Sequence, residues 1–274
     1  MVVRVHPAYR GRVCSRRMTM RLIACLVLCL SMLAVAPPSM AAEADGAHGA
    51  AAHLFGYVPK PGQRARFDAG YRAHLQWHRD RGDPLAWYGW DVTSGERAGM
   101  FIDGSFGAPF AAFDRRVDPA GDAADGARHV TAFADPAWRA SYRLRREFST
   151  GLPLEERQPG AEMQVFHYRL KPGASVRFET LLRTARDVLR RQPDAPAYTW
   201  YEQVVGDRAP GYLLMVTRAG WAGYGAHPGG LEAVLAAAGD ARSAGWLDEL
   251  AASVMSVESE SWRYREDLSY FPPP

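Results

Sequence analysis

The chain has 274 residues, of which 47% are hydrophobic, enough for one large domain or two of about 115 residues. Six of the 33 basic side chains lie in residues 1–41, which contain no acidic side chain, so the rest of the chain carries 27 basic and 30 acidic groups and a net charge of −3. This balance excludes the basic excess by which proteins bind nucleic acid or anionic membranes.

Residues 1–41 have the pattern of an export signal. Arg21 precedes an apolar run over residues 22–36, which is shorter than the roughly 20 residues that a membrane-spanning helix needs. Small residues end the segment at Ala41, so we predict cleavage there and a periplasmic or secreted protein with no membrane partner. An uncleaved anchor is the alternative, and the choice between general and twin-arginine export stays open. All three cysteines lie in this segment, which excludes disulfides and thiolate ligands from the mature chain.

The first half is predicted from apolar periodicity, aromatic strands and turn residues. Residues 42–51 are small and polar-rich, and we expect a disordered lead-in. The predicted elements are a strand at 54–58, a helix at 64–80, a hairpin of strands at 85–92 and 100–103, a surface loop at 114–125, a helix at 128–133 and a strand at 142–148. Asp135 before Pro136 is expected to begin a helix, because Asp caps and Pro tolerates the first turn.

The second half repeats this order after a linker at 150–160. Its predicted elements are a strand at 163–170, a helix at 175–191, strands at 197–205 and 212–217, a helix at 231–257 broken near Gly239, and a strand at 261–269.

An internal repeat explains the common order. Phe55–Gly62 recurs as Phe166–Gly173, 111 positions later, with five of eight residues identical. We therefore predict an α+β fold made of two tandem ferredoxin-like βαββαβ units, residues 52–157 and 158–274, packed sheet to sheet as an intramolecular αβ barrel. Such a chain is its own pseudo-dimer, so we expect the monomer to be competent.

Two motifs resemble NIPSNAP-type domains of the dimeric αβ-barrel superfamily. One is Tyr168-Arg-Leu-Lys-Pro-Gly173, and the other is Ala132-Phe-Ala-Asp-Pro-Ala-Trp138, which the second half lacks. The resemblance implies an αβ barrel. Relatives in that superfamily include cofactor-free monooxygenases, haem-degrading enzymes, haem peroxidases and proteins without known chemistry, so the fold does not select a function.

Aromatic side chains concentrate on equivalent strands of both halves. They line a ligand pocket or form ordinary core, and alternation along a strand allows only half of them to face one cavity. Asp91 and Glu202 lie on the same strands, and two carboxylates in one cleft could act as an acid–base pair. Aligning Trp87 with Trp200 gives an offset of 113, which places Asp91 opposite Val204 and argues against that pair.

Histidines supply the other candidates. His167 stands where the first half has Gly56 and is interpreted as a haem ligand, a general base or a core residue. His74 and His78 are one helical turn apart, as in a two-histidine metal site. No third ligand shares their register, so we predict a half-exposed helix face and no metal site.

We predict that the protein binds a small apolar or aromatic ligand, chiefly in its second half. The predicted ligand-binding residues are His167, Tyr168, Trp200, Tyr201, Glu202, Trp87 and Trp90. The sequence assigns no catalytic residue and no cofactor. The alternative function is a cofactor-free or haem-associated enzyme of the monooxygenase type.

Overall fold

The computed structural model describes residues 49–156, 159–192, 194–206, 209–239 and 242–273. The predicted export signal and most of the predicted lead-in lie outside these residues. Across the described ranges, none of the helices combines the length and the hydropathy that crossing a bilayer requires.

The described residues form eight strands in one closed antiparallel barrel, in the order β1-β3-β2-β8-β5-β7-β6-β4. The strands are β1 Ala51–Pro59, β2 Tyr88–Ser94, β3 Phe101–Ala108, β4 Ala134–Leu144, β5 Glu162–Leu170, β6 Tyr198–Gly206, β7 Gly211–Arg218 and β8 Val254–Tyr264. The α-helices are α1 Arg64–Asp80, α2 Pro119–His129, α3 Ser175–Leu189, α4 Ala222–Ala226, α5 Leu231–Ala236 and α6 Ser243–Ser253. The predicted α+β class and barrel are confirmed.

The two halves meet edge to edge. Strand β2 pairs with β8, and β4 pairs with β6, so the sheets of the two halves join into one continuous sheet around an interior cluster to which both halves contribute. Closure gives every edge strand a partner and removes the exposed backbone donors and acceptors that an open edge would leave.

Three apolar clusters stabilise this arrangement. One fills the barrel interior around Trp90 and Trp262. The other two lie on the outer face of the sheet, beneath α1 in the first half and beneath α3 and α5 in the second. Helices α1 and α3 each direct an apolar stripe onto the sheet, anchored by Phe67 and Phe178, which are fully buried. Each such side chain contributes roughly 1.5–3 kcal/mol on burial.

The segment between β3 and β4 differs from the prediction. The expected loop at 114–125 contains the start of α2, because Asp118 accepts a hydrogen bond from the amide of Gly121 (3.0 Å) and Pro119 occupies the first turn. The predicted helix at 128–133 is wrong beyond His129, where α2 ends. Pro136 lies inside β4, at a register shift opposite Gly56 and Tyr57 that accommodates its missing donor.

The C-terminal helix prediction is also wrong in its last part. The segment 231–257 contains α5 and α6, and β8 begins at Val254. Val254 and Val257 are β-branched and favour a strand once the helix has ended. The predicted strand at 261–269 ends at Tyr264 and is followed by a single 3₁₀ turn.

The hairpins of the two halves pair in matching register. Trp90 is opposite Ile102, and Tyr201 is opposite Leu213, so equivalent positions are 111 residues apart. The offset of 113 was therefore wrong, and Asp91 corresponds to Glu202. These two acids bind equivalent arginines after the closing strands: Asp91 binds Arg265 (2.9 Å) and Glu202 binds Arg145 (2.6 Å). Each acid thus stabilises the end of a strand through its own arginine, and Asp91 and Glu202 do not form an acid–base pair with each other.

Candidate functional site

The predicted ligand-binding residues lie in separate environments. Trp90 and Tyr201 belong to the barrel interior. Tyr168 and Trp200 pack beneath α3 on the outer face, and Trp87 occupies the outer face of the first half. Glu202 binds Arg145 at a strand end. Alternation along each strand separates neighbours such as Trp200 and Tyr201, so the seven residues do not line one cavity.

His167 lines a cavity of ≈220 Å³, which we call the His167 cavity, together with Arg97, Trp138 and Gln203. Its Nε2 is 2.5 Å from a guanidinium nitrogen of Arg97, which also donates two hydrogen bonds of 2.7 Å to Glu260. Burial favours a raised pKa for Glu260, but the nearby His167 and the hydrogen-bonded guanidinium of Arg97 outweigh it and lower the pKa to about 2. His167 is thus a hydrogen-bonded residue at the edge of a cavity.

A second cavity lies in the first half, between the outer face of the sheet and helices α1 and α2. This α1 pocket has a volume of ≈150 Å³. Aromatic side chains of Phe55, Tyr57 and Trp87 form part of its wall. All of its other lining residues carry a polar or ionisable group: Tyr71, His74, His78, Asp103, Arg116, Asp122 and Arg139.

His74, His78 and Asp122 converge in this pocket. Helix α1 presents the two histidines one turn apart, and their Nε2 atoms are 3.3 Å from each other. The Oδ1 atom of Asp122, from the first turn of α2, is 3.4 Å from His74 Nε2 and 3.5 Å from His78 Nε2. Gly70 permits this approach of the helices, because a Cβ there would lie 1.9 Å from the carbonyl oxygen of His129.

Further carboxylates hold each ring in place. His74 Nδ1 is 2.8 Å from Asp125, and His78 Nδ1 is 2.6 Å from Asp83. Burial is the largest influence on the pKa of His74 and lowers it. Burial alone raises the pKa of Asp83, but hydrogen bonds from His78 and Trp87 outweigh it, so that pKa is lowered.

Asp122 is held in the same way from its other side. Arg116 donates a hydrogen bond to its Oδ2, which leaves Oδ1 directed at the two histidines.

Asp103 is the buried acid of the pocket. Its Oδ2 accepts a hydrogen bond from the Tyr71 hydroxyl (2.6 Å), while its buried Oδ1 has no hydrogen-bond partner in the described part of the chain. Burial raises the pKa of Asp103 to about 7, with a contribution from the negative charge of Asp122 and an opposing one from the Tyr71 hydrogen bond. The carboxyl can therefore exchange a proton near neutral pH.

Sequence reasoning missed most of this site. Asp122 was placed in a loop, and Asp103 was not singled out. An acid inside the apolar run 100–106 is the signal that could have identified Asp103, because unpaired acids are rarely buried. The meeting of α1 with α2 has no local signature.

Neither a protein-family model nor a curated protein sequence matches the chain. Solved structures do resemble it. A candidate monooxygenase from Lactobacillus acidophilus aligns over 81% of this chain and 97% of its own, with a TM-score of 0.53 and 9% identity. An anthrone oxidase-like protein aligns over 84% and 95% (TM-score 0.51, 9% identity), and a candidate chlorite dismutase over 80% and 96% (TM-score 0.50, 10% identity). At this identity the similarity shows the fold alone, which is that of dimeric αβ-barrel proteins.

The described cavities do not fit haem. The two polar cavities, of ≈150 and ≈220 Å³, are smaller than the roughly 300–1,000 Å³ that drug-sized ligands occupy, and haem is a large ligand. Two larger grooves of ≈620 and ≈710 Å³ have no histidine among their described lining residues, whereas histidine is a common axial ligand of haem iron. No step of a mechanism is therefore assigned to haem.

Proposed function

We propose that the protein is an enzyme that transfers a proton on a small planar molecule, such as a phenol or an enol, in the α1 pocket. The observation that carries this proposal is the position of Asp103, which lines a cavity with aromatic sides and whose buried Oδ1 has no hydrogen-bond partner among the described residues. Leaving a buried polar atom without a partner costs about 1–3 kcal/mol. Such a cost is typical of groups retained for chemistry.

The neighbours of Asp103 suit it to act as a general base. The hydroxyl of Tyr71 fixes one carboxylate oxygen and leaves the other for the substrate. Tyr57 keeps its proton at neutral pH, because burial and the charge of Asp103 raise its pKa well above the usual value. A protonated Tyr57 in the same wall can donate a hydrogen bond to a substrate oxygen.

The size and walls of the pocket define the substrate class. A volume of ≈150 Å³ corresponds to about five water molecules at roughly 30 Å³ each, which is room for one six-membered ring with small substituents. Aromatic walls favour a planar molecule. Arg139 stacks over the Phe55 ring at 4.8 Å and provides a positive charge near the anion that deprotonation creates.

In the proposed step, an ionised Asp103 takes the proton from the substrate hydroxyl or enol, and the electron pair of that bond stays on the substrate oxygen. The resulting anion is hydrogen-bonded by Tyr57 and lies near Arg139. A monooxygenase-type reaction of such an anion would be the alternative function that the sequence analysis gave. The candidate monooxygenase and the anthrone oxidase-like protein among the fold neighbours are in keeping with that class.

Binding of 4-nitrophenol tests the proposal, because its phenolate absorbs visible light and its phenol does not. Below the probe's own pKa, we expect the purified protein to bind it with a gain in phenolate absorbance. The Asp103→Asn variant should bind without that gain. Asp91→Asn, an acid outside the pocket, should behave like the wild type. An equal gain with Asp103→Asn, or no binding by a folded wild type, would overturn the proposal.

We further propose that the chain is a tandem duplication of a ferredoxin-like, NIPSNAP-like unit that is exported and competent as a monomer. The shared register at an offset of 111 residues and the common element order support duplication. Residues 1–41 support export. Finding the uncleaved chain in the inner membrane after fractionation would contradict export.

A second ligand site is proposed at the His167 cavity. Two of its lining residues, Trp138 and Gln203, each have a buried N–H group, Nε1 and Nε2 respectively, with no hydrogen-bond partner in the described residues. Together with Arg97 and His167, they favour a small ligand rich in acceptors, such as a carboxylate. The sequence-based proposal of a ligand near His167 is therefore kept. We propose a binding site there and assign no reaction to it.

A further inference from the structure

We infer that His74, His78 and Asp122 bind a zinc ion, with a fourth coordination position that opens into the α1 pocket. A catalytic role for the ion rests on the proposed function, whereas its binding does not. This departs from the sequence-based prediction of no metal site, which was made because no third ligand could be found near the two histidines. The structure supplies that ligand from α2.

The hydrogen bonds of the two rings fix their tautomers. Each Nδ1 faces a carboxylate, that of Asp125 for His74 and that of Asp83 for His78. An ionised carboxylate only accepts hydrogen bonds, so each Nδ1 carries the proton and each Nε2 of a neutral ring carries a lone pair. Arg116 occupies Oδ2 of Asp122, which makes its Oδ1 the third acceptor.

Three acceptor atoms thus face one another at 3.3, 3.4 and 3.5 Å. Without a cation or a shared proton between them, this arrangement is repulsive. The side chains are also largely shielded from water, with exposed fractions of 13% for His74, 5% for His78 and 12% for Asp122, so water screens the repulsion little. A bound cation removes it.

The distances between the three ligand atoms indicate the coordination geometry of the ion. Ligands at the zinc distances of about 2.0–2.1 Å lie about 3.3–3.4 Å apart in a tetrahedron. Adjacent ligands of an octahedral ion at the same distances would be about 2.8–3.0 Å apart. The observed 3.3–3.5 Å triangle therefore fits a tetrahedral ion. Two imidazoles and one carboxylate are donors that zinc accepts, and a set of three protein ligands is typical of sites that keep one position open.

Neighbouring side chains hold the two histidine ligands in place. The carboxylates of Asp125 and Asp83 orient the rings, as carboxylates hydrogen-bonded to the other ring nitrogen of metal-binding histidines do. Asp83 is itself held by the indole N–H of Trp87 (3.0 Å) and the amide of Leu85 (3.0 Å). Both histidines lie within the 17-residue helix α1, so the ligands are positioned by regular structure.

Zinc binding can be measured without knowing the substrate. The purified protein is stripped with a chelator and titrated with zinc chloride by calorimetry, and then with cobalt(II), whose visible bands are intense in tetrahedral sites and weak in octahedral ones. We expect one ion per chain and a tetrahedral cobalt spectrum. His78→Leu, which copies the residue at the equivalent position of the second half, and Asp122→Asn should each weaken binding. We expect a loss of more than the roughly 10–100-fold that is typical when a residue hydrogen-bonded to a metal ligand is changed.

His167→Gln is the matched control, because it removes a histidine of the other cavity and should leave zinc affinity unchanged. Circular dichroism of each variant shows that it is folded, and the cobalt spectrum of the wild type does not depend on any variant. Failure of the folded wild type to bind zinc, an octahedral cobalt spectrum, or full affinity in both ligand variants would overturn the inference. If the folded wild type binds no zinc, a shared proton must lie between the two Nε2 atoms and Asp122 Oδ1 instead.

Zinc binding and proton transfer can fail separately. Asp103→Asn should keep zinc affinity and lose the phenolate signal of 4-nitrophenol. If the wild type gives the phenolate signal but binds no zinc, the proposed function stands and the zinc inference fails. If it binds zinc but gives no phenolate signal, the zinc inference stands and the proposed function fails.

Discussion

The regions beneath the long helices α1 and α3 occupy equivalent places in the two halves and have opposite character, a polar pocket beneath α1 and an apolar cluster beneath α3. At an offset of 111 residues, His74, His78 and Asp103 of the first half correspond to Ala185, Leu189 and Leu214 of the second. All three second-half residues are buried in an apolar cluster beneath α3. The framework residues are retained, as with Phe67 and Phe178. Side chains shared by both halves therefore specify the fold, and those that differ specify the chemistry.

This comparison favours a different half from the one that the sequence analysis chose. The second half was predicted to be the specialised copy, because His167 replaces Gly56. Beneath the long helices, the structure places polar and ionisable side chains under α1 and apolar side chains under α3. The second half fills the equivalent space with apolar residues of α5, Leu231, Val234 and Leu235, and becomes the more fully packed copy.

The largest expected change in stability comes from placing a histidine in the second half at the position equivalent to His78. Leu189→His, the counterpart of His78, should lower the free energy of unfolding by about 2–5 kcal/mol, because it places an unpaired polar group in a packed core. Urea unfolding followed by circular dichroism measures the change. A loss below the error of that measurement would show that the two environments are less different than the comparison requires.

The pH dependence of stability is the next largest effect. The pKa of Asp103 is about 7 in the folded chain, compared with 3.8 for a free side chain, so the folded state binds the proton more tightly. Its contribution is fully present at low pH and is lost as the pH rises through 7. Between pH 5 and pH 7 this loss amounts to about 2 kcal/mol.

Asp103→Asn isolates that contribution. Other charged or titrating groups face Asp103, namely Tyr57 and Tyr71 from β1 and α1, Asp122 from α2 and Arg116 from the segment before α2. His74, whose pKa is lowered, changes stability with pH in the opposite sense. Only the difference between wild type and variant is therefore informative. Parallel stability curves for the two proteins between pH 5 and pH 7 would show that Asp103 does not titrate in this range.

The smallest expected effect is at the His167 cavity. His167→Gly removes one hydrogen bond from Arg97 but leaves the two bonds between Arg97 and Glu260, so we expect a loss of about 1 kcal/mol in stability. Binding of 4-nitrophenol should be unchanged. If His167→Gly abolishes that binding while the melting temperature stays the same, the ligand belongs to the His167 cavity.

Local pattern predicted the framework well. Helix α1 has the predicted bounds of 64–80, and β5 begins one residue before its predicted start, because each depends on periodic apolar residues that a short window contains. The site was harder to predict. It needs α2 to fold from a Gly- and Ala-rich segment and then to place Asp122 against histidines more than 40 positions earlier. Contacts of that range leave no periodic trace in the sequence.

The position of a bound phenol tests the central claim most directly, that the first half contains the working pocket. Crystals soaked with 4-bromophenol would locate the ligand through the anomalous signal of bromine. We predict a peak in the α1 pocket, with the phenol oxygen within hydrogen-bond distance of Asp103 Oδ1. A peak only in the His167 cavity, or only beneath α3 in the second half, would contradict the account.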